Sequence, residues 1–350
     1  MSTEHHLEIS IQGGFGVISL DRAASLNALS KTMINGIIAQ LDLWQDEPAV
    51  QAVLINSKSP KAFCAGGDIR YLYDCYKNGS TGYQDYFAAE YRMLAEIRHF
   101  IKPVVVLLDG YVMGGGFGLA QACHIRVSSE KSRFSMPETA IGYFPDVGAT
   151  YILSRLKEVG VYMALSSEQI SSSDALYLGL IDHHVDSTRL AELEASLLAA
   201  TQVDRASIEQ ILAGFATPAA QSQIQQQQAM IAQHFAAHTV QEIEQNLAQV
   251  TDDPAQQAWA EKILNILQQR SWIAKTASLK LLQAAAQLSL EQCMQLERDV
   301  QDIWFDQGDI VEGVRALIID KDKQPKWQTD NPALDRQIDA LIAVQHAEAV

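Results

Sequence analysis

PVVVLLDGYVMGGGFGLAQAC, residues 103–123, decides how the rest of the chain is read. VVVLL is a continuous apolar run, the pattern of a strand covered on both faces in a parallel sheet. The three glycines at 114–116 then turn the chain into a second apolar stretch that reads as a helix. An equivalent unit lies upstream. VQAVLIN at 50–56 is an apolar strand, KSPKAFCAGGD at 58–68 a glycine-bearing loop, and a helix starts near Asp68. A long helix is expected over 84–99. Strands alternating with helices imply an α/β fold with a mostly parallel sheet. The pattern persists to IDHHVD at 181–186, read as the last short strand.

On the amino-terminal side, LEISIQ and GVISL alternate around Gly13 and Gly14 and read as a hairpin over 7–20. Residues 31–45 form an amphipathic helix in which Met33, Ile34, Ile37, Ile38, Leu41 and Trp44 share a face and Ser30 is the N-cap. After about 188 the chain turns helical and rich in Ala and Gln. Thr239 with Glu242, and Ser289 with Gln292, have capping-box spacing. Residues 214–229 are expected to be a linker or mobile loop, with a solvated helix face as the alternative for the glutamine run. The division expected is a core over 1–195 and a helical region over 196–350.

The chain has 350 residues, 48% of them apolar and 19% charged, and 26 basic against 42 acidic residues give a net charge of −16. That charge argues against nucleic acid or an anionic membrane surface as a partner. No apolar run approaches 18 residues, so no membrane span is expected. MSTEHHLEIS, at the start, lacks the features of a signal peptide or an Arg-rich transit peptide. Cys64, Cys75, Cys123 and Cys293 have no metal or redox spacing, so reduced thiols and a cytoplasmic location are expected. A dinucleotide fingerprint, a P-loop, a zinc helix and a nucleophile elbow are all absent.

Two glycine-rich segments, CAGGD at 64–68 and MGGGFG at 113–118, each follow an apolar strand and sit at or near a helix start. Backbone N–H groups there have no intrahelical partner. Two of them aimed at one point make an oxyanion hole. A third segment, FSMPETAIGYFPDVG at 134–148, places Glu138 and Asp146 in mostly apolar surroundings. Carboxyls so placed often do acid–base or nucleophilic work. Each also has a local alternative: Glu138 as a first-turn acid after Pro137, and Asp146 as the cap of a helix starting near Ala149.

Taken in order, LDRAASLNAL at 20–29, the CAGGD loop, the strand-then-GGG segment and MPE at 136–138 resemble the crotonase (enoyl-CoA hydratase/isomerase) superfamily. The resemblance implies a crotonase-like spiral of ββα turns and an acyl-CoA ligand, with Gly67 and Gly115 as the oxyanion amides. Hydratases of this superfamily use two glutamates. One matches Glu138; the other, two residues beyond the glycine triplet, is Gly118 here, which speaks against hydration. MPETAIGYFPDVGA at 136–149, ASLK at 277–280 and EGVRALIIDKDKQPKW at 312–327 resemble the 3-hydroxyisobutyryl-CoA hydrolase family, thioesterases of valine breakdown. By that resemblance Glu138 is the nucleophile or general base, and Asp146 and Glu90 contact the acyl group. Arg22, Ser25, Leu26 and Ala65 are expected to bind coenzyme A, with Lys61, Lys275 and Lys280 as phosphate candidates. Coenzyme A is part of the substrate, so no metal or redox cofactor is expected. The superfamily's habit of forming trimers and hexamers leaves room for a homo-oligomer. A hydratase or isomerase, and a silent acyl-CoA-binding protein, are the alternatives.

Overall fold

A computed structural model describes residues 6–251 and 253–348; residues 1–5 of the amino-terminal stretch read above lie outside it. The chain divides into two compact units, one comprising Met1–Asp68, Asp85–Ser135 and Ile170–Gln225, the other Ile69–Gln84, Met136–Gln169 and Gln226–Val350.

The first unit holds two sheets. Strands β1 (Leu7–Gln12), β2 (Phe15–Leu20), β3 (Ala52–Ser57), β4 (Ala62–Cys64), β5 (Val104–Leu108), β6 (Tyr111–Met113), β7 (Ile125–Ser128), β8 (Arg133–Ser135), β9 (Ile170–Ser171) and β10 (His183–His184) follow in chain order. The larger sheet has the order β1-β2-β3-β5-β7-β10 and the smaller β4-β6-β8-β9. The β1–β2 hairpin is antiparallel, and β2, β3, β5, β7 and β10 run parallel. Each pass lays one strand in the large sheet and the next in the small one: β3 then β4, β5 then β6, β7 then β8. The chain is therefore a spiral, and a loop of the same kind leaves the small sheet on each turn.

One face of the large sheet shows why the first unit reaches to residue 225. Phe15 and Val17, Ala52 and Leu54, Val105 and Leu107, and Ile125 and Val127 alternate along four strands and form one apolar surface. Leu193 and Leu197 of the helix Leu190–Leu198, with Ile208 and Leu212 of Arg205–Phe215, cover it. A parallel sheet needs such cover. Each buried aliphatic side chain contributes about 1.5–3 kcal/mol, so the 190–215 helices are held to the strands rather than to the later helices. The helix Lys31–Gln45 is as read: Ser30 Oγ accepts from Met33 N at 3.2 Å, and the six named apolar residues are buried.

In the second unit the helices Ala149–Arg155 and Glu158–Ser166 pack on Trp272–Ala285, and Leu290–Gln307 packs on Ala149–Arg155. Both expected capping boxes are present. The expected 214–229 linker is shorter, because the helix Gln223–Phe235 takes in the whole glutamine run, with Gln225, Gln226 and Gln228 exposed and Ile224 buried. Among the described residues no helix is long and apolar enough to cross a membrane.

Candidate active site

In the first unit the two glycine loops meet. Leu29 N donates to Gly66 O at 2.8 Å and Asp68 N to Leu29 O at 3.0 Å, tying 64–68 to 20–29. Ala65 N donates to Leu26 O at 3.0 Å. Gly66 sits at φ +115° and Gly114 at φ +50°, backbone that a side chain rarely tolerates. A Cβ on Gly115 would lie 3.3 Å from Gly67 N. The two amides therefore belong to one small region, at the start of the helix Gly115–Ala122. Their neighbours are engaged, Gly114 N with Ser135 O and Asp68 N with Leu29 O. Among the described residues neither Gly67 N nor Gly115 N has an acceptor in the protein. Two unengaged amides side by side are what an oxyanion requires.

Glu90, on the helix Gly82–Arg98, stands over this pair. It is only 2% exposed, so it is no surface helix acid. Its Oε1 lies 2.5 Å from where a Cβ on Gly115 would be and has no hydrogen-bond partner among the described residues. Burial pushes its carboxyl up to about 8. One turn earlier, Tyr86 donates to Leu29 O at 2.8 Å, and burial with the Glu90 charge holds its phenol well above the usual range. A carboxyl raised on folding stabilises the fold while protonated. Its contribution is complete below its ordinary value of 4.5 and is lost as pH rises through about 8. The Glu90→Gln protein is accordingly expected to melt close to wild type near about pH 5 and above it near about pH 9. Parallel melting curves across that window would show that Glu90 ionises freely.

Cys64 is a structural thiol. Burial pushes it up to about 12, and its Sγ donates to Gly66 O at 3.5 Å. A neutral thiol at that depth is a poor nucleophile. Gly118 is buried in the helix after the triplet, so this position brings no carboxyl to the amide pair.

Glu138 and Asp146 belong to the second unit. Glu138 opens a 3-10 turn, Glu138–Ile141, after Pro137 and is 6% exposed. Only Met136 and Pro137 separate it in sequence from Ser135, whose carbonyl accepts from Gly114 N at 3.2 Å. Tyr143 N donates to Glu138 O at 3.0 Å, closing the segment through Gly142 at φ +73°. Asp146 is 5% exposed. The amides at the start of the following helix meet Glu297, which accepts from Gly148 N at 2.8 Å and Thr150 N at 3.1 Å. Asp146 Oδ2 accepts from Gln301 Nε2 at 2.8 Å.

The residues expected at coenzyme A divide. Arg22 is partly exposed and already holds Asp68 at 2.7 Å and Ala28 O at 3.0 Å. Leu26 and Asn27 take left-handed backbone at φ +51° and +57°. Asn27 is the residue there that the reading passed over. It is buried, accepts from Arg22 N at 2.7 Å and donates to Ser57 Oγ at 2.7 Å and Phe63 O at 3.0 Å. A side chain that can bond the backbone locally and tolerate left-handed φ was the available signal. Lys275 is a correction: it is 2% exposed, paired with Glu244 and bonded to Leu267 O at 2.7 Å, so it has no reach to a phosphate. Lys280 is held by Asp335 at 2.8 Å and Asp339 at 2.7 Å, while Lys61 is exposed.

A spiral of paired strands carrying two free glycine amides defines a class, and comparison with known proteins agrees. The chain belongs to the enoyl-CoA hydratase/isomerase family, whose model matches residues 15–339. Within the family it is 38% identical over 326 residues to a mitochondrial 3-hydroxyisobutyryl-CoA hydrolase of Gallus gallus, covering 91% of this chain and 83% of that one. The Homo sapiens protein of the same name is 35% identical, with 91% and 82% covered. Among solved structures, a carnitinyl-CoA dehydratase from Mycobacterium thermoresistibile matches with a TM-score of 0.87 at 30% identity over 96% of each chain. An enoyl-CoA hydratase from Rhodobacter sphaeroides matches at 0.86 and 34% over 97% of each. The crotonase-like fold expected from the sequence is the fold observed.

Proposed function

We propose that this chain hydrolyses acyl-coenzyme A thioesters, taking 3-hydroxyisobutyryl-CoA and water to 3-hydroxyisobutyrate and coenzyme A, a step of valine breakdown. The observation that carries this reading is the composition of the site. It offers two amides without acceptors, and the position two residues beyond the triplet is Gly118. The amides suit a developing thioester oxyanion, each worth about 3 kcal/mol to the transition state. A hydration that needs a second carboxyl at 118 has none. Curated relatives that are more than a third identical to this chain over the aligned residues are named as hydrolases, which supports the same side.

In this mechanism the thioester oxygen lies with Gly67 N and Gly115 N. Glu138 takes a proton from the attacking water, or attacks the carbonyl carbon itself. Collapse of the tetrahedral species expels the thiolate of coenzyme A; on the second route the acyl group is left as an anhydride on Glu138, which water then hydrolyses to the free acid and the Glu138 carboxylate. Asp146 accepts a hydrogen bond from the acyl hydroxyl, and Glu90 is the second polar contact at the acyl end. Arg22, Ser25, Leu26 and Ala65 line the loops that take coenzyme A. The chemistry calls for no metal ion or redox cofactor. A reducing compartment suits the four free cysteines. The relatives carry the word mitochondrial in their names, so cytoplasm is the less supported of the two reducing compartments.

The test is release of free thiol from 3-hydroxyisobutyryl-CoA and 3-hydroxypropionyl-CoA by the purified chain. Turnover of neither sinks the hydrolase reading. Asp146→Asn is expected to lower kcat/KM for these esters by about tenfold and for isobutyryl-CoA by less than about threefold, since only the former present a hydroxyl whose charge-assisted bond becomes a neutral one. Equal losses on both would remove Asp146 as the hydroxyl contact.

A further inference from the structure

The helix Leu290–Gln307 turns one buried face toward the 138–150 segment. Glu297, Gln301 and Trp304 are spaced i, i+4 and i+7 and so share that face. Each of them binds the segment at a different point. Trp304 Nε1 donates to Gly142 O at 2.9 Å. Gln301 Nε2 donates to Asp146 Oδ2 at 2.8 Å. The Glu297 carboxylate accepts from Gly148 N at 2.8 Å, from Thr150 N at 3.1 Å and from Thr150 Oγ1 at 2.5 Å. Glu297 is fully buried and Gln301 is 4% exposed.

The division of labour among these side chains is informative. Asp146 lies two residues before Gly148, which N-caps the helix Ala149–Arg155. An Asp near a helix start ordinarily spends its carboxylate on the first free amides. Here a carboxylate from a distant helix makes those bonds, and Asp146 is oriented by a neutral amide that can donate but adds no charge.

We propose that Gln301 is a positioning residue: its amide, donating to Asp146 Oδ2, fixes the Asp146 carboxylate for the acyl hydroxyl. Selectivity for hydroxylated acyl groups is then set from the 290–307 helix. This rests on Asp146 reading the hydroxyl, as in the function proposed above, and it is tested by binding so that the two can fail separately.

The experiment is calorimetric titration of the full chain carrying Glu138→Gln, so that neither ligand is consumed, with 3-hydroxyisobutyryl-CoA and with isobutyryl-CoA. The Glu138→Gln protein is expected to prefer the hydroxylated ester by about tenfold or more, the range of one charge-assisted hydrogen bond. Adding Gln301→Met, which keeps the volume and removes the donor, is expected to reduce that preference to within about twofold. Affinity for isobutyryl-CoA should change by less than about threefold. Gln301→Leu, also without a donor and without a group that could pick up a proton beside Asp146, should do the same and serves if the Met variant folds poorly. A preference that survives both variants, or one that is absent from the start, overturns the proposal. So does an equal loss of affinity for the two esters, which would make Gln301 a packing residue only. Failure of thiol release in the untouched chain, with this binding pattern intact, would instead count against hydrolysis alone.

Discussion

Glu138→Gln is expected to reduce kcat on 3-hydroxyisobutyryl-CoA by about 10³-fold or more while leaving the dissociation constant for the ester within about threefold of wild type. The amide fills the same space in a site where Glu138 is only 6% exposed, so binding and fold should survive. It can neither attack a carbonyl nor accept a proton from water, and positioned groups of this kind are worth about 10²–10⁴ in rate. Steady-state thiol release together with calorimetry on the same preparations checks both halves. Retention of more than about a tenth of wild-type kcat would remove Glu138 from the chemistry.

The second large effect is expected at Gly115. A methyl there would lie 2.5 Å from Glu90 Oε1 and 3.3 Å from Gly67 N. The first distance forces a shift of the buried Glu90 carboxyl, and the second presses the methyl against the Gly67 amide itself. Gly115→Ala is therefore expected to cost about 10²–10³ in kcat, the effect of losing one oxyanion donor. Overpacking adds about 1–3 kcal/mol of destabilisation. Gly214→Ala is the matched control: a Cβ at that helical position meets nothing within 4 Å, so activity should be unchanged. Comparable loss in both would mean that backbone freedom, and not the oxyanion geometry, is being measured.

The core of this fold is written in local signals. VVVLL at 104–108, the hairpin glycines and the Ser30 cap each specify their own element, and those elements need only dock. The domain division is not local. Leu193, Leu197, Ile208 and Leu212 spell amphipathic helices, but nothing in their spacing says which apolar surface they will cover. The sheet face they reach comes from four strands dispersed over more than a hundred residues. The same limit separates the two glycine segments, legible from their placement at strand ends and resolved to Gly67 and Gly115 only by the family resemblance, from Glu297 and Gln301. These two are an unremarkable acid and amide on the buried side of SLEQCMQLERDVQDIW until the helix is set against Asp146. Lys275 went the other way. A lysine on an Ala- and Leu-rich helix reads as a surface cation, yet it is buried against Glu244, and burial lowers its ammonium pKa.

In the proposed mechanism, what sets this chain apart from a hydratase is the glycine at 118 beside the amides of Gly67 and Gly115. The solved structures it matches are titled dehydratase and hydratase, so the two chemistries meet in one comparison. The most direct measurement gives the purified chain 3-hydroxyisobutyryl-CoA and crotonyl-CoA in parallel and follows free thiol and the conjugated double bond together. Stoichiometric thiol release from the hydroxy ester, with the crotonyl double bond untouched, is the predicted result. Loss of the double bond without thiol release, and no cleavage of the hydroxy ester, would contradict it.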